Sequence, residues 1–327
     1  MAVILIHTTT RTLEASAFDL QSYSWTLFLN QISRFAVPLF FIISGLVLEL
    51  SAKEESYRTF FKRRFIKIFV PFVIWSLFYY YLVYNQNHDS LLKVFLTGNA
   101  SYQLYFIPTL CIYYLLFPLL HKKYKIISNK FFLAFLGLSQ IALQSYDYYI
   151  KDLDFSDPIR IVLMSYLFFV IGIIAARNIE KINSFVKKQK IMLTIFSIAS
   201  GIFVFWEGRS RFLSTGNYLS YYSQWRPSVL IYTILVGLFF YYIFEYLSKK
   251  TSVISKFSTH SFFVFFVHVA VLELMWTYLG NKVFVLLNGS LFGKLIFDPI
   301  FFTIVAFASF LIARFIHKIP KSGRLLG

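Results

Sequence analysis

Apolar residues recur along the chain in runs close to the roughly 20 residues that carry an α-helix across a bilayer, with short polar or basic connections between them. The runs predict helices near 1–10, 26–50, 68–84, 102–120, 131–147, 159–176, 191–207, 227–247, 258–279 and 294–316. The period-two alternation of an outer-membrane barrel is absent. The expected fold is therefore all-α, a polytopic helical membrane bundle of about ten transmembrane helices forming a single membrane-embedded domain over 1–327. The first run has no basic start, and its short apolar stretch meets His7 and three threonines, so it is expected to be the outer half of an N-terminally truncated helix rather than a signal peptide. No linker, low-complexity tract or convincing internal repeat interrupts the series.

One run holds a charge. In Arg34-Phe-Ala-Val-Pro-Leu-Phe-Phe-Ile-Ile-Ser-Gly45, Arg34, Pro38, Phe41 and Gly45 fall at i, i+4, i+7 and i+11 and share one helix face. A charge within such a helix is costly in hydrocarbon, so that face should look into protein or a wet cavity.

The connections alternate in charge. Lys53, Arg58, Lys62, Arg63, Arg64 and Lys67 form one basic set. The same phase continues through Lys122, Lys123 and Lys125, then Arg177, Lys181, Lys187, Lys188 and Lys190, then Lys249, Lys250 and Lys256, and ends with Lys318, Lys321 and Arg324. The alternate connections are poorer, with Arg11, Lys93, Lys151, the group Arg209, Arg211 and Arg226, and Lys282. Positive residues stay on the cytoplasmic side, so the chain is expected to be multi-pass in the cell membrane with its C-terminus cytoplasmic. The segment from Arg209 to Arg226, rich in tyrosine and serine, is an irregular outer loop in this reading and a surface for a polar substrate.

Composition agrees. The 327 residues are 58% hydrophobic and only 14% charged, too little polar surface for a soluble domain of this size. A net charge of +17 would suggest nucleic acid in a soluble protein. Here the charge lies in short connections and sets topology, so the expected surroundings are membrane lipids and no nucleic acid. Cys111 is the only cysteine, which excludes an intrachain disulfide.

Two histidines stand in apolar surroundings, His7 in the first run and His268 in Phe262-Phe-Val-Phe-Phe-Val-His268. A neutral imidazole can take a proton near pH 7, which suits activation of a hydroxyl; the alternative is a histidine bonded to a neighbouring helix for packing. Arg34 either binds an anionic group or snorkels to the headgroups. His260 reads as interfacial, and His121 and His317 as solvated members of basic loops. Lys62, Arg63, Arg64 and Lys67 could clamp phosphates, or could be ordinary positive flanking. Tyr102 fits an interfacial aromatic and Glu273 a wetted carboxylate near an outer helix end. There is no phosphate-binding glycine loop, and no Cys/His set has metal-ligand spacing, so no metal is predicted.

Taken together, several stretches resemble the acyltransferase-3 family of integral membrane acyltransferases. The Arg34–Gly45 run is similar to that family's second-helix pattern, and Lys62-Arg-Arg-Phe-Ile-Lys-Ile-Phe-Val-Pro71 to its basic stretch before the third helix. Tyr102-Gln-Leu-Tyr-Phe-Ile loosely matches an aromatic segment, and Arg177-Asn178 and Ser261–His268 also fit in order and spacing. The resemblance implies transfer of an acyl group, acetyl in the first instance, from cytoplasmic acyl-CoA as donor substrate to a hydroxyl of a cell-envelope glycan, exopolysaccharide or lipid-linked sugar. Ile6-His7-Thr8 matches the end of the first-helix motif, where the family's histidine is the proposed catalytic residue. The implied roles are a general base at His7, a polar site shaped by Arg34, orientation or proton relay by His268, and CoA phosphate binding by Arg63, Arg64 and Lys67. Three departures stand out: the motif's earlier arginine would precede Met1, Lys67 stands where many members have arginine, and Gln103 replaces a common histidine. The rival readings are an exporter of polysaccharide or lipid-linked sugar and an inactive family member.

Overall fold

The computed structural model describes residues 1–52, 56–84, 90–150, 158–216, 223–248, 260–319 and 322–327. The expectations at Lys53, Lys151, Lys249, Lys250, Lys256 and Lys321 fall outside the described residues, as do the side chains of Arg63 and Arg324.

The regular structure of the described residues is all helical, without strands. The helices are α1 Ala2–Ala15, α2 Ser24–Ile32, α3 Ala36–Leu50, α4 Tyr57–Phe78, α5 Leu91–Thr97, α6 Phe106–Lys122, α7 Tyr124–Ile127, α8 Lys130–Ser145, α9 Ile159–Arg177, α10 Ile179–Lys188, α11 Lys190–Thr215, α12 Pro227–Ser248, α13 Ser261–Met275, α14 Asn281–Leu287, α15 Leu291–Ile316 and α16 Ser322–Leu325. Three helices widen into a five-residue π-turn at one end, Tyr79–Val83, Tyr146–Ile150 and Trp276–Gly280.

Seven stretches among the described residues are long and apolar enough to cross a membrane, rather than about ten. They are Ser24–Leu50, Tyr57–Val83, Ile159–Arg177, Lys190–Thr215, Pro227–Tyr246, Ser261–Leu287 and Leu291–Ile316. Helices also occupy the other three expected places: α1 has 14 residues, α6 has 17, and α8 has 16 before its five-residue π-turn. The second run is interrupted, because α2 ends at Ile32 and the chain turns through Ser33–Phe35 before α3 begins. Pro38 is tolerated because it falls in the first turn of α3, where backbone N–H groups have no helical partner.

The most extensive helix pairing is α3 against α9. It is a backbone-to-backbone contact made by two glycines. A Cβ on Gly45 would stand 2.2 Å from the Phe169 carbonyl oxygen, and one on Gly172 would stand 2.0 Å from that of Ile42. Small residues allow such an approach where lipid tails compete with every other apolar contact. The face predicted for Arg34, Pro38, Phe41 and Gly45 is indeed the buried one.

Several buried polar groups find partners within the bundle. Thr8 and Thr9 donate to carbonyls one turn back at 3.1 and 2.5 Å. Asp298 of α15, fully buried, accepts from Thr12 at 2.6 Å and Thr26 at 2.5 Å, tying α1, α2 and α15 together. The hydroxyl of Tyr79 enters the hydrogen-bond ladder of α13, donating to the Phe266 carbonyl at 2.6 Å and accepting from the Ala270 N–H at 3.0 Å. That wedge fixes the turn of α13 that carries His268.

Candidate active site

The two ends of the bundle differ. At one end α3, α6 and α9 are clasped by Glu49, which accepts from Arg177 Nε at 2.5 Å and lies 2.8 Å from His121 Nδ1. Arg177 also lies 4.0 Å over the Tyr124 ring. Arg64 donates to the Ser51 hydroxyl at 2.7 Å at the same end of α3. His121 is therefore a half-exposed helix residue rather than a loop residue: it sits in the last turn of α6 and is held by a buried carboxylate. His317 likewise caps α15, its Nδ1 2.8 Å from the Ala313 carbonyl.

The opposite half encloses a cavity of about 430 Å³. His7, Arg34, Tyr102, Gln103, Arg11 and Glu273 are among the residues lining it. α1 supplies His7, the turn before α3 supplies Arg34, and the loop before α6 supplies Tyr102. The imidazole of His7 packs between two rings, Tyr102 at 4.7 Å and His268 at 5.4 Å between centroids. It makes no hydrogen bond among the described residues, so its ring nitrogens are free for a molecule in the cavity.

His268 stands behind His7, is not among the cavity-lining residues, and is 1% exposed. Its Nδ1 is 3.0 Å from the Val264 carbonyl. A carbonyl only accepts, so Nδ1 carries the proton and Nε2 remains an acceptor, buried and without a partner among the described residues. The two imidazoles are stacked with planes 29° apart, not joined edge to edge. This geometry suits orientation of His7 better than an in-plane proton relay.

Arg34, only 4% exposed, does not snorkel to the surface. Its Nε and Nη2 both donate to Asn30 Oδ1, at 3.1 and 2.5 Å. Elsewhere in the cavity lining Arg11 is ion-paired with Glu273 and, at 3.2 Å, with Glu14. Tyr102 donates to Glu273 at 3.3 Å. Glu273 is thus a paired group rather than a merely wetted one. Burial, and then the Glu273 carboxylate, push the Tyr102 phenol well above its ordinary value, so it remains a donor at neutral pH.

The basic cluster is elsewhere. Arg64 is bonded to Ser51 and Lys67 is exposed, and neither lines the cavity. Tyr84, which does line it, follows Arg64 by 20 residues along α4 and its π-turn, a helical rise of roughly 30 Å. His7, Arg34 and His268 are brought together; Arg64 and Lys67 are not brought to them.

Sequence reasoning passed over a buried network beside Arg34. Arg226, placed in an outer loop by its sequence neighbours, is fully buried at the start of α12. Its Nη2 donates to Gln31 at 2.6 Å and to the Val204 carbonyl at 3.0 Å, its Nη1 to the Tyr148 hydroxyl at 3.1 Å, and its Nε lies 3.2 Å from Glu207. Arg209 and Arg211 of the same expected loop lie on α11. The signals were present as two adjacent amides, Asn30 and Gln31, inside an apolar run, and an arginine opening another. Among the described residues no group of His, Cys, Asp and Glu could hold a metal ion.

A family model described as an acyltransferase domain, the acyltransferase-3 model, matches residues 1–317. No curated protein and no solved structure matches the chain.

Proposed function

The chain belongs to the acyltransferase-3 family, and from that premise we propose that it moves a short acyl group, acetyl in the first instance, from a CoA thioester to a hydroxyl of a cell-envelope glycan or exopolysaccharide. A membrane acyltransferase is what family and fold together support; donor, acceptor and residue roles are our reading. The observation that carries it is the unbonded imidazole of His7 in a cavity shared with Arg34.

In this reading the acceptor hydroxyl lies within reach of a His7 ring nitrogen, which takes its proton as the oxygen attacks the thioester carbon. Negative charge develops on the thioester oxygen, and the Arg34 guanidinium stabilises it. The carbon–sulfur bond breaks, the proton held by His7 goes to the departing thiolate, and ester and free CoA are the products. His268 holds the His7 ring from behind and Tyr102 from the front. The basic end faces the cytoplasm, and the donor phosphates meet Arg63, Arg64 and Lys67 there. The pantetheine arm then reaches toward the cavity between the helices.

Purified protein given acetyl-CoA and a hydroxyl-bearing glycan should release free CoA and yield an acylated glycan. His7→Ala should cut both at least about a hundredfold while leaving the protein folded in detergent. Full turnover by His7→Ala would reject the role of His7. Movement of glycan across a vesicle membrane without any CoA release would favour the exporter.

A further inference from the structure

The side chain of Asn30 is fully buried between the groups assigned to catalysis, and every polar atom it has is used. Its Oδ1 receives both Nε and Nη2 of Arg34. Its Nδ2 donates to the carbonyl of Ile6 at 3.2 Å and to the hydroxyls of Thr9 at 3.0 Å and Thr10 at 3.1 Å. Ile6 is the residue before His7, and Thr10 lines the same cavity. One amide therefore ties the guanidinium to the helix that carries the imidazole.

The next residue anchors this clamp. Gln31 Nε2 reaches Asn30 Oδ1 at 3.4 Å, while its Oε1 accepts from Arg226. Arg226 is in turn fixed by Glu207, Val204 and Tyr148. An Arg side chain has many rotamers, and a cavity would let it wander; two bonds to a single acceptor oxygen remove that freedom. A neutral acceptor does so without cancelling the positive charge that an anionic oxygen needs, as a carboxylate at the same place would.

We infer that Asn30 is a positioning residue that sets the Arg34 guanidinium against the His7 helix, braced through Gln31 by the buried Arg226–Glu207 pair. The inference rests on the acyl-transfer reading of the cavity. Asn30 itself does not line the cavity and acts only through Arg34.

The test compares wild type, Asn30→Ala and Asn30→Asp in two measurements. The first is steady-state release of CoA from acetyl-CoA with a glycan acceptor. The second is the rate at which phenylglyoxal labels Arg34, read by peptide mass, with fully buried Arg226 as the internal control. For Asn30→Ala we expect kcat to fall about tenfold to a hundredfold, with KM for acetyl-CoA nearly unchanged, because the cation is misplaced rather than removed. Arg34 should label faster in that variant while Arg226 stays protected. Asn30→Asp keeps an acceptor for Arg34 and loses donation to Ile6, so Arg34 should stay protected and kcat should fall between the other two. Unchanged labelling of Arg34 in Asn30→Ala would overturn the inference. So would equal labelling of Arg226, which would make Asn30 a general support of the fold. If wild type releases no CoA with any acceptor, the acyl-transfer reading falls, and the labelling of Arg34 against Arg226 alone decides whether Asn30 holds the guanidinium.

Discussion

His7 rests on the face of His268, ring centroid to ring centroid 5.4 Å, with no hydrogen bond between them. The contact is one of shape, and it separates two roles that sequence left joined. His7→Ala should lower acyl transfer on the order of 10²–10⁴-fold, the usual worth of a general base. His268→Phe keeps a flat ring behind His7 and should retain activity within about tenfold of wild type, whereas His268→Ala should lose more. Equal loss in His268→Phe and His7→Ala, measured as CoA release, would restore a proton-relay role to His268.

Tyr102 offers the same separation on the front of His7. Tyr102→Phe removes the hydroxyl that donates to Glu273 but leaves the ring 4.7 Å from His7. Activity should survive this change and fall clearly in Tyr102→Ala. Because the phenol stays protonated well beyond its ordinary range, Tyr102→Phe should leave the pH–rate profile unchanged up to about pH 9. A shifted alkaline limb in the variant would show that the phenol titrates in the active protein.

The Glu207–Arg226 pair is buried with its charges matched, so breaking one side should cost more than removing both. Arg226→Leu leaves the Glu207 carboxylate inside the bundle without its cation, and a loss of about 3–5 kcal/mol is expected, seen as a large drop in thermal midpoint in detergent. The double change Arg226→Leu with Glu207→Leu should recover part of that loss. Additive losses would mean that the two side chains act independently.

Lys67 is exposed and outside the cavity, which makes it the cleaner probe of donor binding. Lys67→Gln should raise KM for acetyl-CoA several-fold with kcat little changed, and the effect should shrink as salt is raised. An unchanged KM at low ionic strength would return the cluster to ordinary positive flanking.

Gly45 and Gly172 are predicted to tolerate nothing larger. Ala at Gly172 would set its methyl 2.0 Å from a backbone oxygen that no rotamer change can move. The cost should be at least about 2–3 kcal/mol, at the upper end for added volume in a packed core. Gly137, whose missing Cβ would meet nothing within 4 Å, should accept Ala without loss and serves as the control.

The helical class, the places of the helices and the buried face of Arg34–Gly45 were legible because each follows from a local period. Span number was less so: α6 is apolar but only 17 residues long, α1 has 14, and α8 reaches the length of a span only with its π-turn. The pairing of His7 with His268 could be guessed only from family likeness, since 261 positions separate them and no period links them. The burial of Arg226 was not legible because its neighbours are tyrosines, serines and glutamine, the composition of a loop, while its partners Gln31 and Glu207 are remote in sequence. The partner of His121 was hidden for the same reason, its basic neighbours giving no sign of a carboxylate 72 positions away.

The glycine contact between α3 and α9 also constrains how the protein can breathe. With two backbones in touch, those helices can neither slide nor tilt apart without tearing that seam. Arg34 is planted at the foot of one of them. Whatever widening admits a bulky nucleotide arm or a sugar must then be carried by the helices across the cavity, α4, α6 and α13, swinging past a stationary keel. Spin labels on α4 and α9 should spread on donor binding, and labels on α3 and α9 should not.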